Sequence, residues 1–351
     1  MGYQHFHKEN PFVRELLDKG FSYTTLYHLS WPQQTLTLES GLVLRLYHRG
    51  MLSITPAKHS STNRSATVLS AGIYGDETGP IELMDALITR ILKGQVQISH
   101  PCLFIFANPD AALKKVRFIE HNLNQMFEMT RMPARGVESA IAAKMKDVVA
   151  LFFERSDPHY RWHLDLHHSQ RPSQYPIFAI RPFTRHQSAE VDLALMGFSQ
   201  VADIQAFLVC QHPDFTFSWY TSEYFQAKSL AIELGQWQTL GQNHLALFAG
   251  FVKGMEDLLT RDLTQVFIAK PHARMAVYQV IQEIRKHSSD LSFIAKQALI
   301  NFEPLYLNQE YAIQGGVPMI CESGRHALVF ANQQVEIGQR AALLVEKVHT
   351  S

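Results

Sequence analysis

From residue 66 to about residue 259, apolar runs of strand length alternate with helix-length amphipathic stretches, which restricts the chain to a largely parallel sheet covered on both faces. The first unit spans a strand at 66–73, a glycine-bearing loop, and a helix opened by Thr78 and Pro80. Ile81, Met84, Ile88 and Ile91 share one face of that helix and Gly94 closes it. A strand at 102–107 stops at Asn108-Pro109, and a long amphipathic helix over 137–153 precedes a strand at 162–167. Short strands follow at 177–180, 206–210 and 230–232, with helical stretches near 190–196 and 244–259. Upstream, 41–47 and 51–54 read as a β-hairpin turning at His48-Arg49-Gly50. After Pro271 the helical periodicity disappears, and 277–281, 328–330 and 341–345 read as strands. The expected organisation is therefore an α/β domain over 1–264 that carries the hairpin, followed by a smaller β-rich domain over 265–351.

Charge and cysteine content narrow the function classes. Lys and Arg total 32 and so do Asp and Glu, so no global positive field exists to hold a phosphate backbone or an anionic membrane surface. Nucleic acid and membrane are excluded as expected partners, and no apolar run approaches the ~20 residues of a membrane helix. Cys102, Cys210 and Cys321 are far apart and form no C-x-x-C, which points to reduced thiols in a cytoplasmic protein and away from a thiolate metal site. The first ten residues lack the basic and apolar regions of a secretion signal. The 18 histidines raise the question of metal ligands and proton carriers.

No G-x-G-x-x-G, P-loop or G-x-S-x-G is present. Three polar stretches instead follow strands, where the loops of a parallel sheet build sites. In 70–82, Glu77 sits near a helix start, either as an acid favoured by the helix dipole or as a site residue. In 162–168, period-2 geometry puts His163, Asp165 and His167 on one face, either as satisfied core groups or as a carboxylate orienting a histidine ligand. In 230–235, Glu233 ends an apolar strand, either solvated or buried with its pKa raised toward a general base's range.

Taken in order, G-I-Y-G-D-E-T-G-P-I-E, A-N-P-D-A-A-L-K-K-V-R-F-I-E-H-N-L-N-Q-M-F, W-H-L-D-L-H, T-F-S-W-Y and I-E-L-G resemble the succinylglutamate desuccinylase and aspartoacylase family, relatives of zinc carboxypeptidases. The resemblance spans nearly the whole chain. It implies a mixed, mostly parallel sheet flanked by helices and a zinc-dependent hydrolase that cuts N2-succinylglutamate in arginine catabolism. Carried over residue by residue, Glu77 and His167 match two zinc ligands, Glu233 the general base, and Arg117 the arginine that polarises the scissile carbonyl. Asn124 matches the first residue of an Asn-Arg pair that holds a substrate carboxylate, and Arg171 matches an arginine that follows D-L-H. The C-terminal domain is expected near the mouth of the site, restricting it to a small acidic N-acyl amino acid.

Two positions depart from the family pattern. Tyr74 stands where the family has its third ligand, a histidine, and Gln125 stands where the pair has its arginine. A phenol of pKa ~10 binds metal only as phenolate, which at pH 7 costs about 4 kcal/mol unless the metal supplies it. Gln125 offers no charged fork to a carboxylate, a loss on the order of 1 kcal/mol or more. A substitute ligand at His168 is disfavoured because adjacent strand residues point to opposite faces. The resemblance thus implies one zinc ion on Glu77, His167 and Tyr74. The other reading is a non-catalytic homologue with a degraded zinc site that acts as a ligand-binding or regulatory protein. A carboxypeptidase-type peptidase fits less well, since the motifs follow the desuccinylase order.

Overall fold

Asn10 caps the first helix, α1 (Pro11–Tyr27): its Oδ1 accepts the backbone N–H groups of Phe12 and Val13, and Pro11 supplies the fixed φ of the first turn. The structure is a computed structural model and describes residues 10–57, 64–128, 135–236, 240–264, 267, 275–295 and 298–348. Sequence periodicity does not reveal α1, because Gly20 interrupts it at φ 89°; there a Cβ would lie 2.7 Å from Asp85 Oδ2.

Strands β1 (Gln34–Thr37), β2 (Val43–His48) and β3 (Met51–Thr55) form an antiparallel meander that contains the expected hairpin. The α/β alternation follows as β4 (Ala66–Ala71), α2 (Thr78–Leu92), β5 (Cys102–Phe106), the short α3 (Pro109–Lys114), α4 (Val137–Phe153) and β6 (Arg161–Ser169). It continues as β7 (Ile177–Arg181), α5 (Ala189–Val201), β8 (Ala206–Val209), α6 (Phe217–Phe225), β9 (Lys228–Gln236) and α7 (Ala249–Thr260). The last helix starts later than its apolar pattern, because Leu245–Phe248 winds as a 3-10 turn.

One thirteen-stranded sheet, flanked by helices on both faces, runs β1-β2-β3-β5-β4-β6-β9-β7-β8 and then through the C-terminal strands. Its centre, β5-β4-β6-β9, is parallel, and β7 joins β9 antiparallel. Every residue of β4 and β5 is buried, as expected of strands covered on both sides. One face packs against α1, α2, α5 and α7, the other against α4 and α6. On β6 the alternation is explicit: Trp162, Leu164 and Leu166 enter the first core, while His163, Asp165 and His167 occupy the other face.

The C-terminal strands β10 (Ala276–Arg285), β12 (Glu303–Pro304), β15 (His326–Val329) and β16 (Arg340–Val348) extend the same sheet, since β10 pairs parallel with β8. Strands β11 (Ser292–Phe293), β13 (Glu310–Gln314) and β14 (Val317–Ile320) make a separate antiparallel sheet. The boundary expected at residue 265 lies outside the described residues. Buried Asn301 joins the C-terminal strands to the chain after β6: its Nδ2 donates to Ser169 Oγ at 2.9 Å, its N–H to Pro172 O at 2.8 Å, and its Oδ1 accepts from Phe330 N–H at 2.8 Å. Among the described residues no helix is long and apolar enough to cross a membrane.

Candidate active site

The carboxyl ends of β4, β6 and β9 meet at a single point. In the β6–β9 register His167 lies beside Glu233, and the loop after β4 brings Glu77 over both as the N-cap residue of α2. Glu77, His167 and Glu233 are 2, 3 and 8 % exposed, so their charges interact with little solvent screening. Glu77 Oε2 is 2.9 Å from His167 Nδ1, and Asp165 Oδ2 is 3.1 Å from His167 Nε2. Burial pushes the His167 imidazolium down, but Asp165 and Glu77 outweigh it and hold the ring well above its ordinary value. Glu233 has the opposite balance. Burial pushes its carboxyl up to about 7, and its Oε2 has no hydrogen-bond partner among the described residues.

A buried polar chain runs behind His167. Ser70 Oγ donates to Asp165 Oδ1 at 2.5 Å, so its oxygen receives the proton of His163 Nε2 at 2.8 Å. Burial pushes His163 down to about 4, so its ring is neutral and turns a bare Nδ1 to the Thr221 hydroxyl at 2.7 Å. Ser229 Oγ lies 2.9 Å beyond Thr221. Asp165 therefore accepts from both Ser70 and His167, which fixes the orientation of the imidazole. The sequence placed His163 and Asp165 on the face of His167 but missed Ser70 and Thr221. Ser70 could be found only by knowing that β4 pairs with β6 so that residue 70 faces residue 165.

Arg117 approaches from the loop after α3. Gly75 permits this: its N–H donates to Arg117 O at 3.0 Å, and a Cβ at Gly75 would lie 2.3 Å from the Ala111 carbonyl carbon. The guanidinium carbon sits 3.4 Å from the centroid of the Tyr74 ring, with Nη1 3.4 Å from Glu77 Oε1. The Tyr74 ring is in turn 5.8 Å from that of His167.

Glu138, fully buried on α4, anchors the same loop by accepting the N–H groups of Ile119, Glu120 and His121 and the Asn108 amide. Burial raises its pKa, but these four donors outweigh it and hold it below the usual carboxylate range. Its stabilisation is therefore present above its ordinary value and is lost as the pH falls through the depressed one. Glu138→Gln should cost about 2–4 kcal/mol at pH 7. The melting curves of wild type and variant, recorded against pH, should converge at low pH.

The remaining expected residues are spread more widely. Asn124 is buried, but its Oδ1 accepts the N–H of Phe217 at 2.9 Å at the start of α6. Gln125 beside it is exposed in a 3-10 turn, Leu123–Gln125. Arg171 is half-buried and lines a cavity of about 490 Å³ against Asn301, Leu305, Tyr306 and Leu328, away from Glu77 and His167. His168 lies on the opposite face of β6 from His167, packed so tightly on Gly79 that a Cβ there would be 2.2 Å from His168 Cε1.

The implied zinc does not fit this donor set. Catalytic zinc takes three protein ligands from His, Cys, Asp and Glu. Among the described residues no group of three or more such side chains is arranged to hold a metal ion. Both His167 nitrogens already face carboxylates, and the Tyr74 ring lies under a guanidinium.

A mixed sheet between helical layers, with a cluster of ionisable groups buried at its parallel strand ends, defines an α/β scaffold of zinc-carboxypeptidase type. The family model described as the succinylglutamate desuccinylase/aspartoacylase catalytic domain matches residues 63–259, and that family's barrel-sandwich hybrid domain matches residues 273–348. The chain belongs to the succinylglutamate desuccinylase/aspartoacylase family, a family of hydrolases. It is 38% identical over 340 residues to a succinylglutamate desuccinylase of Vibrio cholerae serotype O1, covering 96% of this chain and 97% of that one. The crystal structure of the Vibrio parahaemolyticus enzyme of that name superposes with a TM-score of 0.85 at 33% identity, covering 95% of this chain and 96% of that one. The Chromobacterium violaceum enzyme superposes at 0.76 and 28%, covering 94% and 98%.

Proposed function

We propose that this chain hydrolyses the amide of a small N-acyl acidic amino acid of the N2-succinylglutamate type, giving succinate and glutamate as a cytoplasmic step of arginine catabolism. The supporting observation is Glu233. A buried carboxyl near neutrality, with one oxygen unpartnered among the described residues and Arg117 and His167 among its charged neighbours, suits a general base. In this reading Glu233 takes a proton from water as its oxygen bonds to the acyl carbon. Arg117 donates to the carbonyl oxygen as charge develops there, and Glu233 returns the proton to the departing amine as the C–N bond breaks. Asn124 holds a substrate carboxylate, with Gln125 the weaker contact, while Arg171, in the cavity away from Glu77 and His167, is left out of the reacting site.

A second reading, a non-catalytic ligand-binding homologue, is favoured by the stacking of Arg117 on Tyr74, which removes the guanidinium from a free carbonyl-facing position. One experiment separates the two. Purified protein incubated with N2-succinylglutamate should release equimolar succinate and glutamate. Calorimetric binding without release would support the second reading, and neither binding nor release would sink both.

A further inference from the structure

Resting on the acyl-amino-acid site just proposed, a further inference concerns the cation that serves it. We propose that Arg117, pinned between the Tyr74 ring and Glu77, takes the place of the metal ion implied by the family, and that the native chain therefore excludes zinc.

Glu77 and His167 are two donors of ordinary zinc type, and among the described residues no set of three such side chains is arranged to hold a metal ion. Nor are the two free. His167 engages Asp165 through Nε2 and Glu77 through Nδ1, and the other Glu77 oxygen faces Arg117. A metal ion must therefore break the His167–Glu77 contact before it gains either ligand.

Tyr74 deepens the exclusion. To ligate, the phenol must ionise beside a metal ion, yet its ring is covered by a guanidinium at 3.4 Å. A dication at that position would be repelled by the guanidinium at close range and in poorly solvated surroundings. Arg117 cannot easily withdraw, because Glu77 and Asp76, 3.4 and 4.0 Å from its Nη1, hold it electrostatically and Gly75 holds its backbone. His168 offers no rescue, since the close fit to Gly79 keeps its ring on the far face of β6. The cationic position of the site is thus filled by the guanidinium, and the native chain takes up no zinc there.

Zinc content decides the matter. Wild type, Tyr74→Phe and Tyr74→His are purified without chelator from zinc-supplemented cultures and measured by elemental analysis and by melting with and without added zinc. Wild type and Tyr74→Phe should both hold well below one zinc per chain, with melting temperatures that zinc does not move. Tyr74→His should hold close to one and melt higher with zinc, its affinity gain exceeding the ~100-fold that an outer-shell ligand partner is worth. Near-stoichiometric zinc in wild type, lost in Tyr74→Phe, would make the phenol oxygen a ligand and overturn the inference. Should Tyr74→His fail to fold, the comparison of wild type with Tyr74→Phe still decides. Zinc-bound wild type that releases succinate sinks the inference and leaves the hydrolase reading standing. Zinc-free wild type that binds N2-succinylglutamate without cleaving it does the reverse.

Discussion

Tyr74→His combined with Gln125→Arg should raise hydrolysis of N2-succinylglutamate in the presence of zinc by ~100-fold or more over wild type. Histidine at position 74 offers a neutral imidazole at pH 7, which ligates without the deprotonation cost of a phenol. It also removes the aromatic face on which Arg117 rests, freeing the guanidinium to turn toward a carbonyl. A bound zinc ion then contributes Lewis-acid stabilisation worth several kcal/mol, and each 1.4 kcal/mol is about tenfold in rate. The second substitution acts on the substrate side. Gln125 is exposed at the end of a turn whose neighbour Asn124 is fixed by Phe217 N–H, so an arginine there can extend without repacking the core. A charge-assisted fork on a substrate carboxylate is worth about 1–2 kcal/mol more than an amide contact. Its effect should fall mainly on KM, while that of Tyr74→His falls on kcat. Steady-state kinetics of wild type, both single variants and the double variant checks this split; an inactive double variant that binds zinc would show that another group has been lost.

Glu233→Gln should remove hydrolysis by ~10²–10⁴-fold while leaving the melting temperature equal to or above that of wild type. The two halves have one cause. Glu233 is buried with an oxygen that no described group satisfies, an arrangement that costs stability and that an amide, neutral at every pH, reduces. The same arrangement keeps its proton affinity near neutrality, which the amide cannot reproduce. Binding of N2-succinylglutamate to the variant, followed by calorimetry, should change by less than the rate does. Unchanged hydrolysis would remove Glu233 from the role of base, and a large fall in melting temperature would mean that the carboxylate is structural.

Much of the scaffold is legible in the sequence because each element needs only local information. The β4–α2 unit, β5, α4 and β6 are bounded by glycine, proline and clean periodicity, and the structure places them within a few residues of those signals. The helix α6, Phe217–Phe225, is not legible as a helix. Seven of its nine residues are buried, polar Ser218, Thr221, Ser222 and Glu223 among them, so no exposed polar stripe marks the period. The site divides in the same way. Strand-end residues Glu77, His167 and Glu233 can be found from pattern and motif order. Ser70 depends on which strands are neighbours, Glu138 on a loop folding back over a helix, and the cavity around Arg171 on contacts with residues more than 120 positions later.

Tyr74 and Gln125 share one property: neither belongs to a strand or helix that holds the core together. Tyr74 occupies the connection between β4 and α2, and Gln125 an exposed turn, whereas the polar chain from Ser229 to Asp165 is locked between central strands and α6. Tyr74, buried in the core that α4 and α6 cover, and exposed Gln125 thus both lie outside the strand pairing that builds the sheet. Exchanging either leaves the pairing of the sheet's strands unchanged. The histidine and carboxylates beneath, held by strand register, keep their geometry whichever side chains stand at those two positions.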